Sequence, residues 1–386
     1  MNARFFVVVC LTVAVNAGMG LIIPVLPSFL QGYGFSVAGL SLPFLSLILG
    51  RMLSKTCAAQ VIAVLSNKAT LVVSFLLYGA VFVCYPLVEH VYGFIALRFF
   101  EGVVEGISII CLTDLAIVMS KHNRGKLMGI FGSSFGIGFV VGPLLGGVCF
   151  EWGGTTAMFG AGAVLGLLGA ALSLVVPTID QVPPRRNNWL FPAMEHMKFL
   201  PEYGPSIIRR AVFFCFMIVL PLYATTQLGL KATDVALYFT SSAIISASLM
   251  PFTGKLADRI SAEKILALSL PLMGGLIMAF GIGSHVLLFT ALFLLESLVF
   301  ALMLPAGMKV FADAVDGHPE RTEIVSSFGG FTELLTLILA VLIPWLYTVS
   351  TELTWALIGL LCVVSGVPFV RRVLAGKSRA YRQASQ

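Results

Sequence analysis

Two glutamates, Glu101 and Glu296, lie in the middle of long apolar runs and are 195 residues apart, about half of the chain. The runs around them are similar, Ala-Leu-Arg-Phe-Phe-Glu-Gly from Ala96 and Ala-Leu-Phe-Leu-Leu-Glu-Ser from Ala291. A charged side chain at bilayer depth is costly unless it faces protein or water, so such residues usually serve a pathway. Buried ionisable groups are candidates for proton relay. The pair therefore predicts a membrane protein made of two repeats and coupled to protons.

Helical spacing places Arg98, Glu101 and Glu105 on one face of the same run. One cation cannot neutralise both acids in hydrocarbon, so we expect at least one acid to be neutral or hydrated. The alternative for Arg98 and Glu101 is an internal salt bridge that only stabilises packing. Glu333 lies in the eleventh apolar run, at a depth similar to that of Glu296 in the tenth. The proton-coupling candidates are therefore Glu101, Glu296, Arg98, Glu105 and Glu333.

Composition identifies the class of protein. The chain is 58% hydrophobic and 11% charged, whereas soluble domains are about 25% charged. Apolar runs between helix breakers predict twelve spans of the roughly 20 residues that a bilayer requires. They cover residues 5–30, 38–64, 69–88, 91–118, 125–150, 155–177, 206–228, 233–252, 264–283, 286–312, 324–347 and 353–373. The fold class is therefore an all-α membrane protein.

The distribution of charge predicts orientation. Lys and Arg concentrate in alternate loops and in the tail, while the opposite side carries essentially only Lys231. This pattern places both termini and the central linker in the cytoplasm of a multi-pass protein of the inner (plasma) membrane, and argues against nucleic acid as a partner of this chain of net charge +6. The predicted parts are a six-helix bundle at 1–177, a linker at 178–205, a second bundle at 206–373 and a basic tail at 374–386.

Four motifs resemble the major facilitator superfamily, in particular its twelve-helix drug:proton antiporter branch. The most specific is a glycine pattern in the fifth span, with Gly129, Gly138, Gly142, Pro143, Gly146 and Gly147. The others are Gly254-Lys-Leu-Ala-Asp258-Arg259, Leu97-Arg98-x-x-Glu101-Gly102, and the first-span segment from Gly18 to Pro27. The resemblance implies the major facilitator fold, with 12 transmembrane helices in two pseudo-symmetric six-helix bundles. It also implies a hinge role for the fifth-span glycines and a gating role for Gly254, Asp258 and Arg259.

The chain departs from the family in the gating loop of its first half. The Gly, Asp and Arg positions of that motif hold Ala59, Ala63 and Val64. Arg51 and Lys55 with Asp114 form a substitute pair in one interpretation. In the other, these cations extend to the membrane surface.

Three residues are candidates for contact with a substrate. Asn16 lies within the first span, and Tyr223 lies in the seventh. Aligning Pro221 with Pro27 places Arg210 opposite Asn16, which would put a cation suited to a carboxylate or phosphate inside the pathway. The apolar run alone places Arg210 at the membrane surface.

The predicted function is export of a small amphipathic compound in exchange for protons. A transporter of an anionic metabolite, such as a carboxylate-type siderophore, is the alternative, followed by a proton-independent facilitator and a transport-inactive membrane sensor. We expect no enzymatic activity and no cofactor other than the proton gradient. The expected partners are a small-molecule substrate and the lipid bilayer, with the protein a monomer.

Overall fold

The computed structural model describes residues 3–22, 41–88, 90–179, 192–282 and 285–376. The long elements in these ranges are all α-helices, which satisfy their own backbone hydrogen bonds inside a bilayer. Eleven of the described helices are long and apolar enough to cross a membrane. The prediction of an all-α membrane protein is confirmed.

The described residues of the first half form six α-helical segments. They are α1 (Ala3–Leu21), α2 (Ser41–Leu65), α3 (Asn67–Cys84), α4 (Val91–Met119) and the run Arg124–Ser173, which divides into α5 (124–152) and α6 (155–173). The division lies at Gly153 and Gly154, whose backbones are not helical. The φ of +65° at Gly154 belongs to the left-handed region, which glycine enters without steric cost.

In the second half, the part of the chain that the structure describes forms six α-helices. They are α7 (Leu200–Thr226), α8 (Ala232–Arg259), α9 (Ala262–Phe280), α10 (Val286–Val315), α11 (Arg321–Val349) and α12 (Thr351–Leu374). A 3-10 turn at Met197–Phe199 leads into α7, so the end of the predicted linker is helical. The predicted first span extends to residue 30, and Pro24 and Pro27 of its motif lie outside the described residues.

Contacts divide the chain into two compact units that differ from its two sequence halves. The first unit comprises Met1–Met119, Ser134–Met194 and Gly317–Leu337, and the second comprises Ser120–Ser133, Glu195–Asp316 and Ile338–Gln386. The beginning of α11, up to Leu337, therefore packs with helices of the first half in the first unit. The beginning of α5, up to Ser133, packs with helices of the second half in the second unit.

Glycines allow the helices that carry the candidate residues to approach closely. At the contact of α2 with α4, Gly50 and Gly102 face the carbonyl groups of Phe99 and Leu47 with no room for a β-carbon. Small residues permit such close approach in membranes, where van der Waals packing drives association. This contact places the polar residue Arg51 of α2 directly against α4.

Candidate functional site

Glu101 is fully buried in the first unit and has two partners. Its carboxylate lies 3.1 Å from Nη1 of Arg98 and accepts a hydrogen bond from the Tyr85 hydroxyl. The ring of Tyr85 stacks on Phe159 at a centroid distance of 4.7 Å and lies 5.2 Å from Phe94. Glu101 therefore sits in an aromatic cluster with its charge compensated. Sequence reasoning missed Tyr85, because it lies 16 residues before Glu101 at the end of another helix.

Glu296 is also buried, in α10 of the second unit, with 3% of its surface exposed. No described residue forms a hydrogen bond or ion pair with its carboxyl group. The neighbouring Ser297 hydroxyl is engaged with Ser242 at 2.9 Å and with the Phe293 carbonyl. An isolated carboxylate is costly to bury, and no described residue offsets a charge at Glu296.

The repeat explains why the two glutamates differ. Phe280 stands 195 residues after Tyr85, and Phe293 stands 195 residues after Arg98. The aromatic surroundings are nevertheless preserved, since Phe280 lies 5.1 Å from the ring of Phe289. Phenylalanine has thus replaced both the hydroxyl and the cation that compensate the first-half acid.

A second charged group joins α2, α4 and α11 within the first unit. Arg51 lies 3.1 Å from Glu105 and 3.2 Å from Glu333, and Lys55 lies 2.7 Å from Glu333. All four side chains are at most 9% exposed. We call Arg51, Lys55, Glu105 and Glu333 the tetrad. Arg51 and Lys55 are buried and paired, and do not extend to the surface.

Asp114 was the expected partner of Arg51 and Lys55, but its observed partner is Arg321. Its carboxylate accepts from Nε of Arg321 at 2.6 Å and from Nη2 at 3.2 Å. Arg321 is the first residue of α11, so this pair joins α4 to the same helix that supplies Glu333.

The gating loop of the second half contacts the beginning of α5. Asp258 accepts from the backbone N–H groups of Gly125 at 2.7 Å and Lys126 at 2.9 Å. These donors are among the unpaired groups of the helix N-terminus, where a negative charge is favourable. Gly254 packs against Gly125 without room for a β-carbon, and Arg259 is exposed.

The glycine pattern of α5 provides packing surfaces. Gly138, Gly142 and Gly146 lie against backbone atoms of α1 in the first unit, with Pro143 beside Gly20. Gly129 lies against the carbonyl of Met250 in α8 of the second unit. No described atom of another residue lies within 4 Å of a β-carbon built on Gly147. The predicted hinge role of the motif stays a prediction.

The three candidate substrate residues are buried. The Asn16 side chain donates to the Thr12 carbonyl of its own helix at 2.8 Å. The Tyr223 hydroxyl donates to the Phe280 carbonyl at 3.0 Å, joining α7 to α9. Arg210 is 9% exposed, so it does not extend to the surface as the apolar run alone predicts. Their contact with a substrate stays a prediction.

The chain resembles known transporters in sequence. It matches a family model described as Major Facilitator Superfamily over residues 8–198 and 206–385. An uncharacterized MFS-type transporter of Methanocaldococcus jannaschii is 23% identical over 278 residues, which cover 69% of this chain and 71% of the relative. Multidrug resistance protein 2 of Bacillus subtilis is 23% identical over 278 residues, which cover 68% of each chain.

The fold is also that of solved transporters. The structure of FucP, a Major Facilitator Superfamily transporter in the outward conformation, aligns with a TM-score of 0.76 and 16% identity, covering 96% of this chain and 98% of FucP. The predictions of the fold and of a transporter that is not an enzyme are confirmed. The chain belongs to the major facilitator superfamily and is a multi-pass membrane transporter.

Proposed function

We propose that this transporter is a proton-coupled antiporter that exports a small amphipathic compound by alternating access, with Glu296 as the proton-carrying group. The observation that supports this most strongly is the buried carboxyl group of Glu296, which has no hydrogen-bond or ion-pair partner among the described residues. A buried carboxyl group of this kind binds a proton or a ligand group to offset the loss of hydration. Exchange between the two would couple proton entry to export.

Glu101 has a supporting role in this proposal. Arg98 and Tyr85 already compensate its charge, so releasing or binding a proton there requires the ion pair to open. We therefore assign Glu101 and Arg98 to holding α3 and α4 together. Proton exchange at Glu101 stays a prediction that the same experiment tests.

Export of an amphipathic compound is supported by the name of the Bacillus subtilis relative, a multidrug resistance protein. Both termini lie in the cytoplasm in this proposal, because Lys and Arg concentrate in alternate loops. The transporter acts in the plasma membrane as a monomer.

The proposal is tested in everted membrane vesicles that contain the full chain. An imposed proton gradient is followed by quenching of acridine orange, and ethidium is then added as the first of a panel of amphipathic compounds. We expect Glu296→Gln to abolish the compound-induced loss of the gradient. Glu352→Gln, at a glutamate with an ordinary surface position in α12, is the control and should behave as the parent. Compound-induced proton release that persists in Glu296→Gln contradicts the assignment.

The buried position of Arg210 favours one second candidate, a transporter of an anionic metabolite such as a carboxylate-type siderophore. Ferric citrate added to the same vesicles distinguishes it. In that case the citrate complex, and not ethidium, dissipates the gradient, and Arg210→Gln removes the response. Compound flux without proton movement indicates a facilitator, and absence of all flux indicates a sensor.

A further inference from the structure

The two halves of this transporter use different means to hold a helix of the opposite half. In the second half, the carboxylate of Asp258, in the last turn of α8, accepts from backbone N–H groups of α5. The position 195 residues earlier is Ala63, which has no acceptor in its side chain. The first half therefore requires other contacts to hold α11.

Several contacts inside the helices hold α11 against α2. Ser326 of α11 donates to the Lys55 carbonyl and accepts from the backbone N–H of Ala59 at 3.2 Å. Gly330 packs against Thr56 without room for a β-carbon. Two turns after Ser326, the carboxylate of Glu333 reaches Lys55 and Arg51. These polar contacts are thus buried along the interface between α2 and α11.

The tetrad has no net charge while it is closed. Two cations, Arg51 and Lys55, face two carboxylates, Glu105 and Glu333. If α11 moved away, Glu333 would leave with it, and the remaining three groups would carry one excess positive charge. Separation of a buried pair exposes uncompensated charge, which strongly favours the closed arrangement.

We propose that the tetrad is the latch of the first half, a buried ion-pair group that replaces the missing loop motif and keeps α11 on α2 and α4. Lys55 is its central member, since it contacts Glu333 through its ammonium group and Ser326 through its carbonyl. Glu105 completes the latch by keeping Arg51 in place after α11 has moved. The latch controls the separation of α11 from α2 and α4. It does not depend on the proton exchange proposed at Glu296.

The experiment measures how fast a cysteine behind the latch reacts. Ser326→Cys is close to isosteric, and Ser326 is 1% exposed. The full-length protein in proteoliposomes is treated with N-ethylmaleimide, and modification at residue 326 is followed by peptide mass spectrometry. Adding Glu333→Gln leaves the two cations with one acid, and we expect modification to be about tenfold faster or more.

Charge balance provides the decisive comparison. Lys55→Gln combined with Glu333→Gln restores neutrality, so the rate should return toward that of the Ser326→Cys parent. Glu151→Gln is the control, because Glu151 is an exposed acid at the end of α5 in the same unit, and its rate should stay within about twofold of the parent. If Glu333→Gln fails to accumulate, Glu105→Gln creates the same excess charge and is measured instead.

Three results would overturn the proposal. The first is an unchanged rate when either acid of the tetrad is neutralised. The second is an equal acceleration by Glu151→Gln, which would indicate that any loss of a negative charge in this unit has the same effect. The third is a double variant that reacts faster than Glu333→Gln alone, since a latch based on charge balance requires the opposite order.

Discussion

Neutralising Glu101 should destabilise the protein only while Arg98 keeps its charge. Arg98 is 2% exposed, and its Nη1 lies 3.1 Å and 3.2 Å from the two carboxylate oxygens. Glu101→Gln leaves this guanidinium buried over the face of Phe94, 5.7 Å from the ring centroid. Breaking a buried pair by removing one partner costs about 3–5 kcal/mol, because the remaining charge is uncompensated.

The double variant should recover most of that loss. Arg98→Met with Glu101→Gln leaves no charge in the aromatic cluster, and replacing a whole buried pair by neutral groups is often close to neutral in stability. The two single changes should therefore be strongly non-additive, with a coupling energy of about 3 kcal/mol or more. Tyr85→Phe removes the second donor and should cost about 1.5–3 kcal/mol, as expected for a hydrogen bond to a charged group.

The assay is reversible unfolding in mixed dodecylmaltoside and SDS micelles, followed by tryptophan fluorescence. Glu296→Gln is the matched control, because its carboxyl group has no partner among the described residues and its loss should leave stability unchanged or slightly raised. Glu101→Gln with the stability of the parent would refute the argument. So would a double variant whose loss equals the sum of the two single losses.

Two further predictions concern packing and the second-half loop. Gly142→Ala should lower the free energy of unfolding by about 1–3 kcal/mol, since its β-carbon would overlap the Ala17 carbonyl, whereas Gly147→Ala should be tolerated. Equal unfolding midpoints for these two variants would contradict the close contact of α5 with α1. Asp258→Asn should cost about 1–2 kcal/mol, because the cap of α5 loses its charge and its ion pair with Lys309 at 3.3 Å. An unchanged midpoint in thermal unfolding would show that the loop contributes nothing to holding α5.

The helices were largely predictable from the sequence, because apolar runs of sufficient length have few alternatives in a bilayer. The division at Gly153 and Gly154 also agrees with the boundary predicted between the fifth and sixth spans. The beginning of α7 at Leu200 was not predicted. Residues 200–205 contain Glu202, Gly204 and two prolines, so their composition did not indicate a helix.

The charged residues were predictable one at a time, but their pairing was not. Arg51, Glu105 and Glu333 each stood out as a charge within an apolar run. Lys55 and Glu333 are separated by 278 residues, and no periodicity in the sequence links α2 to α11. Only the three-dimensional structure shows which acid forms an ion pair with each cation.

The repeat also explains why a symmetrical prediction was incomplete. Glu101 and Glu296 occupy the same place in the two copies, so sequence similarity assigned them the same role. In the first copy, Tyr85 and Arg98 are the partners of Glu101. In the second copy, the corresponding positions hold Phe280 and Phe293, which offer no hydrogen bond or charge to Glu296. The same carboxyl position is therefore ion-paired in the first copy and without a hydrogen-bond or ion-pair partner among the described residues in the second.

A similar difference is found between the contacts of α5 in the second unit and those of α11 in the first unit. In the second unit, α5 is held by Asp258 in the last turn of α8, whose side chain is 18% exposed. In the first unit, the tetrad that holds α11 is at most 9% exposed, and the pair of Asp114 with Arg321 lies nearer the end of the helix. Exposed pairs are weak and screened by salt, whereas buried pairs are costly to break singly. Raising the salt concentration should therefore weaken the contact of α5 at Asp258 before it affects the tetrad, which separate unfolding transitions of the two units at low and high salt would show.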